Sequence, residues 1–125
     1  MSAVLVWVIG FILAVPLVAG GLAKLIDERS MARLRQHLAV DRSLFRFTGL
    51  LQIILGCAIV AGLVLSDRVP WVGLVAGTAI IAIMAQSVHY HRRVNDGLSE
   101  YTAPVLTALV AAAYMIALVT HNVAT

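Results

Sequence analysis

The stretch HYHRRVNDGLSEY, residues 89–101, places two histidines, two arginines and two acidic side chains in a chain that is otherwise almost all aliphatic. Neighbouring histidines suit metal ligation, acid–base chemistry or anion binding, and spacing decides among these. On a helix His89 and His91 lie about 200° apart, so they cannot face one ion together. His89, Arg92 and Arg93 share a face at i, i+3 and i+4, which suits an anion or a partner surface. No cysteine, and no carboxylate at a recognised spacing, completes a ligand set, so no metal site is predicted. Haem ligation needs histidines at matched depth on different helices, and His37 and His121 fall in the first loop and beyond the last apolar run.

The other polar residues within or beside the apolar runs gather at one end. Lys24 closes the first run, Arg46, Thr48 and Gln52 open the second, and Gln86 and His89 close the third. Gln52 is expected ~12 Å in from Leu44, the deepest of the set and the most costly to leave unpaired. Lys24 and Arg46 have stems long enough to snorkel to headgroups. Two arrangements stay open: a polar pocket or partner surface built from Lys24, Arg46, Gln52, Gln86, His89, Arg92 and Arg93, or a fringe of snorkelling cations.

The elements that position these residues follow from composition. Of 125 residues, 62% are apolar and 12% charged, against roughly 25% charged in soluble domains. Ala3–Ile26, Leu44–Leu65, Val69–Val88 and Thr102–Thr120 are nearly charge-free runs, each close to the ~20 residues a helix needs to cross a bilayer. The predicted fold is all-α, an integral membrane four-helix up-down-up-down bundle, as a single domain over 1–125 with spans near 3–26, 44–65, 69–88 and 102–120. The first run has no basic residues ahead of it and exceeds a 7–15-residue signal-peptide core, so it is expected to remain as a span.

Met31, Leu34 and Leu38 recur at helical spacing and predict a short interfacial helix over 29–38. The link SDRVPW is short enough to make spans two and three antiparallel neighbours, with Pro70 near a helix start. Gly73 and Gly77, the GxxxG of GLVAG, are expected to let helix backbones approach closely. Pro16, followed by Gly20 and Gly21, predicts a bend or break in span one. Cys57 is alone, so no intrachain disulfide forms, and it reads as a small packing residue. Asn95, Asp96 and Gly97 read as a turn, with Thr102 as an N-cap candidate and Pro104 in the first turn of span four.

Eight of the nine Lys and Arg residues lie on one side: Lys24, Arg29, Arg33, Arg35, Arg42, Arg46, Arg92 and Arg93, opposed by Arg68. This bias places loops 27–43 and 89–101 in the cytoplasm and both termini outside, with Trp7 and Trp71 near the outer boundary. The net charge of +3 is accounted for by attraction to an anionic inner leaflet, and no nucleic-acid partner is expected. No Asp or Glu lies within a span, which argues against carriers that depend on an intramembrane carboxylate, such as those of the small multidrug-resistance type.

The order of GLAKL, RFTGLLQIILGCAIVAGL, a small-residue third span, and HYHRR before APVLTALVAAAYM resembles the DoxX and DoxX-like family of small four-helix membrane proteins. Many members carry an acidic residue after the second-helix glycine where this chain has Gln52. The resemblance implies a setting more than a reaction. Founding members are associated with a thiosulfate:quinone oxidoreductase, and others with membrane antioxidant complexes or with assembly of membrane proteins.

The expected function is therefore a non-catalytic accessory or assembly subunit of a larger membrane complex, respiratory or redox, in a prokaryotic plasma membrane. It would be partnered by that complex or by further copies of itself. The alternative is a quinone-interacting subunit of an oxidoreductase, with Lys24, Gln52, Gln86 and His89 around the quinone head. A second alternative, small-molecule or lipid transport, lacks a continuous polar path, because the outer halves of the spans offer mainly Thr78, Tyr114 and Thr120. No cofactor is predicted, and a quinone stays open.

Overall fold

The computed structural model describes residues 3–26 and 28–124, with side chains through His121. Met1, Ser2, Asp27 and Thr125, which belong to the expected 1–125 domain and, for Asp27, to the 27–43 loop, lie outside the described residues. Five helices follow in order: α1 Ala3–Leu25, α2 Arg29–Leu38, α3 Arg42–Val64, α4 Trp71–Arg93 and α5 Thr102–Ala124. The four long ones have 23 residues each, about 35 Å at 1.5 Å per residue, enough to cross ~30 Å of hydrocarbon. They are long and apolar enough to span a membrane, and they pack cyclically as α1–α3–α4–α5 and back to α1. The chain is a helical membrane bundle, with α2 and the α4–α5 connection at the basic end.

Helix boundaries have local causes. The Asp41 carboxylate accepts from Ser43 N at 3.2 Å and starts α3, while Glu28 accepts from Ser30 N at 3.1 Å and starts α2. The Ser30 hydroxyl, and then the Ser30 backbone N–H, hold the Glu28 carboxyl below its ordinary range. α4 runs to Arg93, five residues past the apolar run, because helix geometry continues through HYHRR into the aqueous edge. Thr102 does not cap α5: its hydroxyl donates back to Leu98 O at 2.7 Å. Asn95, at φ 63°, takes the left-handed turn conformation.

Pro16 does not break α1, which is helical throughout. The missing N–H removes one backbone bond, and the turns on either side keep theirs, so a membrane helix tolerates the loss.

Close packing rests on small residues. Where α1 crosses α3, a Cβ on Gly21 would lie 2.5 Å from Gly49 O, and one on Gly49 would lie 2.7 Å from Gly21 O. The backbones are in direct contact, as small-residue helix seams in lipid require. Toward the other end, Gly62 meets Gly73, and the fully buried Tyr114 donates to Ile59 O at 3.2 Å beside them. Gly73 and Gly77 both turn toward α5, meeting Tyr114 and Met115. Leu13, Ile59, Ile80 and Leu118 fill the core, whereas Trp7, Trp71 and Cys57 are exposed.

Candidate functional site: a polar-edged cavity at the basic end

Buried residues recur on α3 at alternating steps of four and three: Phe45, Gly49, Gln52, Gly56, Ile59 and Leu63. This is the inward stripe of a packed helix, so Gln52 is aimed at the bundle interior. On α4 the stripe is Gly73, Gly77, Ile80, Met84 and, seven residues on, His91. The buried polar side chains among the described residues are these two, Gln52 and His91, at 7% and 5% exposed.

Between them lies a cavity of about 340 Å³, inside the range of roughly 300–1,000 Å³ usual for small-molecule pockets. α1 contributes Pro16, Gly20 and Lys24, and α3 contributes Phe45, Thr48 and Gln52. α4 adds Met84, Gln86, Ser87, Tyr90 and His91, and α5 closes the far wall with Pro104 and Thr107. The apolar stripe of α2, Met31, Leu34 and Leu38, covers the basic end.

Lys24 and Gln52 flank the glycine crossing: Lys24 Cβ is 2.8 Å from the Cβ that Gly49 lacks, and Gln52 Cβ is 3.1 Å from that of Gly21. The Lys24 ammonium sits 5.1 Å from the centre of the Phe45 ring, a cation–π contact. Gln52 Oε1 is buried without a hydrogen-bond partner. An unpaired buried acceptor costs about 1–3 kcal/mol, which a bound donor would offset.

At the basic end, Asp96 receives two imidazoles. His91 Nδ1 lies 2.8 Å from Asp96 Oδ2, and His37 Nε2 lies 2.8 and 3.0 Å from Oδ1 and Oδ2. The Asp96 side chain is 9% exposed and that of His37 53%. Hydrogen bonds first from His91 and then from His37 hold the Asp96 carboxyl below the usual carboxylate range. Arg93 donates to Leu38 O at 2.9 Å and lies over the Tyr90 ring, tying α4 to the end of α2.

Of the seven residues singled out in the sequence, the structure brings Lys24, Gln52 and Gln86 to the cavity. Arg46, His89, Arg92 and Arg93 are exposed and lie outside its lining. His89 faces away because it is two residues before His91 on the same helix, and the 3–4 stripe that starts at Gly73 selects His91. Continuing from Gly73 and Gly77 in alternating steps of three and four, through Ile80 and Met84, identifies His91. Nothing local identifies its link to His37, because His37 and Asp96 are 59 residues apart.

Among known proteins, the family model described as the DoxX-like family matches residues 8–119. No curated protein and no solved structure gives a significant match. The matched segment takes in all of α2, α3 and α4, most of α1 and α5, and every cavity-lining residue named above, and by that extent the chain belongs to the DoxX-like family.

Proposed function

We propose that the chain is a non-catalytic subunit of a membrane redox complex and that its cavity binds the head of a quinone-class molecule, with the tail among the helices. The observation that carries the reading is the buried, unpartnered Gln52 Oε1 in the cavity wall that Lys24 also lines. Quinone carbonyls need donors, which the Lys24 ammonium and the Gln52 amide nitrogen supply. The hydroxyls of the reduced form need an acceptor, which is Gln52 Oε1. The apolar walls from Pro16, Phe45, Met84 and Pro104 suit the ring. The chain's own part is to bind and orient, with electrons supplied by a partner. The basic end faces the cytoplasm and its anionic leaflet, in keeping with eight of nine cationic residues on that side.

The test is calorimetric titration of the protein in lipid nanodiscs with a decyl-tailed benzoquinone, beside the double variant Lys24→Met, Gln52→Leu. One charge-assisted and one neutral hydrogen bond together contribute about 2–4 kcal/mol, so the variant should bind at least ~30-fold more weakly. Equal binding by both proteins would refute the site. Purification in mild detergent checks the subunit assignment, which requires a stoichiometric partner and is refuted by a chain that comes out alone.

A further inference from the structure

His91, Asp96 and His37 form an unbroken line of hydrogen bonds. It starts at a buried side chain of the cavity wall and ends at an imidazole that is half exposed on α2. A carboxylate alone would have sufficed to pin α2, and Arg93 already ties α4 to Leu38 O. What the second imidazole adds is a group that takes a proton on one nitrogen and gives one up from the other.

We propose that His91, Asp96 and His37 are a proton relay that connects the cavity to the aqueous edge of the bundle. The proposal rests on the cavity holding a ligand that gains or loses protons, and it adds the route those protons take. A proton leaving a ligand hydroxyl is accepted by the His91 imidazole, whose Nδ1 proton passes to Asp96 Oδ2. His37 first moves its Nε2 proton to Nδ1 by exchange with water, then accepts the Asp96 proton at the freed Nε2 and releases the Nδ1 proton to water. One proton enters and one leaves; His37 ends with its proton on Nε2, as it began, and His91 regains its Nδ1 tautomer by proton exchange with water. The reverse order delivers a proton to the cavity. Both heavy-atom gaps are 2.8 Å, inside the range that proton transfer requires.

The groups facing this line come from each neighbouring element. Tyr101 has its ring centre 6.3 Å from that of His91, and Glu100 lines the cavity edge. Arg93 and Tyr90 stand on α4 beside Leu38, and Arg35 precedes His37 on α2. Glu100 also lines the cavity and is exposed, but none of these groups joins the buried His91 imidazole to solvent as Asp96 and His37 do. His91 and His37 are positioning and proton-carrying groups here, and the electron chemistry belongs elsewhere.

The experiment needs no ligand. In protein labelled with nitrogen-15 histidine and held in lipid nanodiscs, NMR measures how fast each imidazole proton exchanges with water. The variants are Asp96→Asn, which keeps shape without a transferable carboxyl proton, and His37→Phe, which keeps bulk at an exposed position. The His91 exchange rate should fall at least tenfold in both, while exposed His89 stays unchanged as an internal reference. An unchanged His91 rate overturns the relay. A faster rate overturns it too, since it would mean that Asp96 only holds α2 shut. The quinone titration on wild-type protein fails or succeeds separately, so loss of the ligand reading and loss of the relay are distinguishable.

Discussion

Gly20 and Gly21 are consecutive, yet replacing them with alanine should have opposite consequences. A Cβ on Gly20 meets nothing closer than Gln52 Oε1 at 4.0 Å. A Cβ on Gly21 would stand 2.5 Å from the backbone oxygen of Gly49, where ordinary contact begins at 3.4 Å. Gly49 O belongs to a helix backbone and cannot rotate aside, so α1 and α3 must part by about 0.9 Å, the difference between 3.4 and 2.5 Å. Overpacking of this kind costs about 1–3 kcal/mol. Both substitutions gain the same helix propensity, about 1 kcal/mol, so the difference between the variants isolates the clash. Unfolding in bicelles by steric trapping should place Gly21→Ala about 1–3 kcal/mol below Gly20→Ala. Because Gln52 Cβ lies 3.1 Å from the same point, Gly21→Ala should also weaken decyl-benzoquinone binding. Stabilities that agree within about 0.5 kcal/mol would refute the direct backbone contact.

Tyr114→Phe removes the bond from its buried hydroxyl to Ile59 O and should cost about 0.5–1.5 kcal/mol in the same assay. In that background Gly73→Ala should be better tolerated, since the Tyr114 hydroxyl, 2.5 Å away, is half of what its Cβ would strike. Additive costs would argue against that contact. Asp96 predicts an acid limb: its folded carboxyl titrates below the unfolded value of about 3.9, so its contribution is complete above that value and lost as pH falls through the lower folded one. Thermal unfolding followed from about pH 6 down to about pH 2 should show a steeper loss for wild type than for Asp96→Asn. Identical slopes would show that the two imidazoles contribute nothing through Asp96.

The spans were legible because a bilayer leaves little choice: a run such as Leu44–Leu65 must be helical to satisfy its backbone in hydrocarbon. Gly73 and Gly77 were legible as a packing pair, but the tightest crossing uses Gly21 and Gly49, one glycine from each of two helices, and no spacing within one helix reveals which pair will meet. For Lys24, Gln52 and Gln86, position along the span was enough to place them at one end. In the sequence His91 is masked by the charge of its neighbours His89, Arg92 and Arg93. The periodic stripe of α4 carries the better signal. The approach of His37 to Asp96 depends on where α2 folds back, which is a property of the whole assembly. Of the bend or break expected at Pro16, the break did not follow, since one missing donor is a small loss within 23 helical residues.

α3 takes part in both glycine seams, through Gly49 against α1 and Gly62 against α4, about 20 Å apart along its axis. Divergence among relatives that keep this bundle is therefore bounded unevenly. Outward residues such as Phe47, Leu50 and Ile54 are free to exchange among apolar types, while Gly49 and Gly62 admit almost no substitution. Position 52 lies between them on the inward stripe, and its Oε1 has no hydrogen-bond partner, so the frame itself does not require glutamine there.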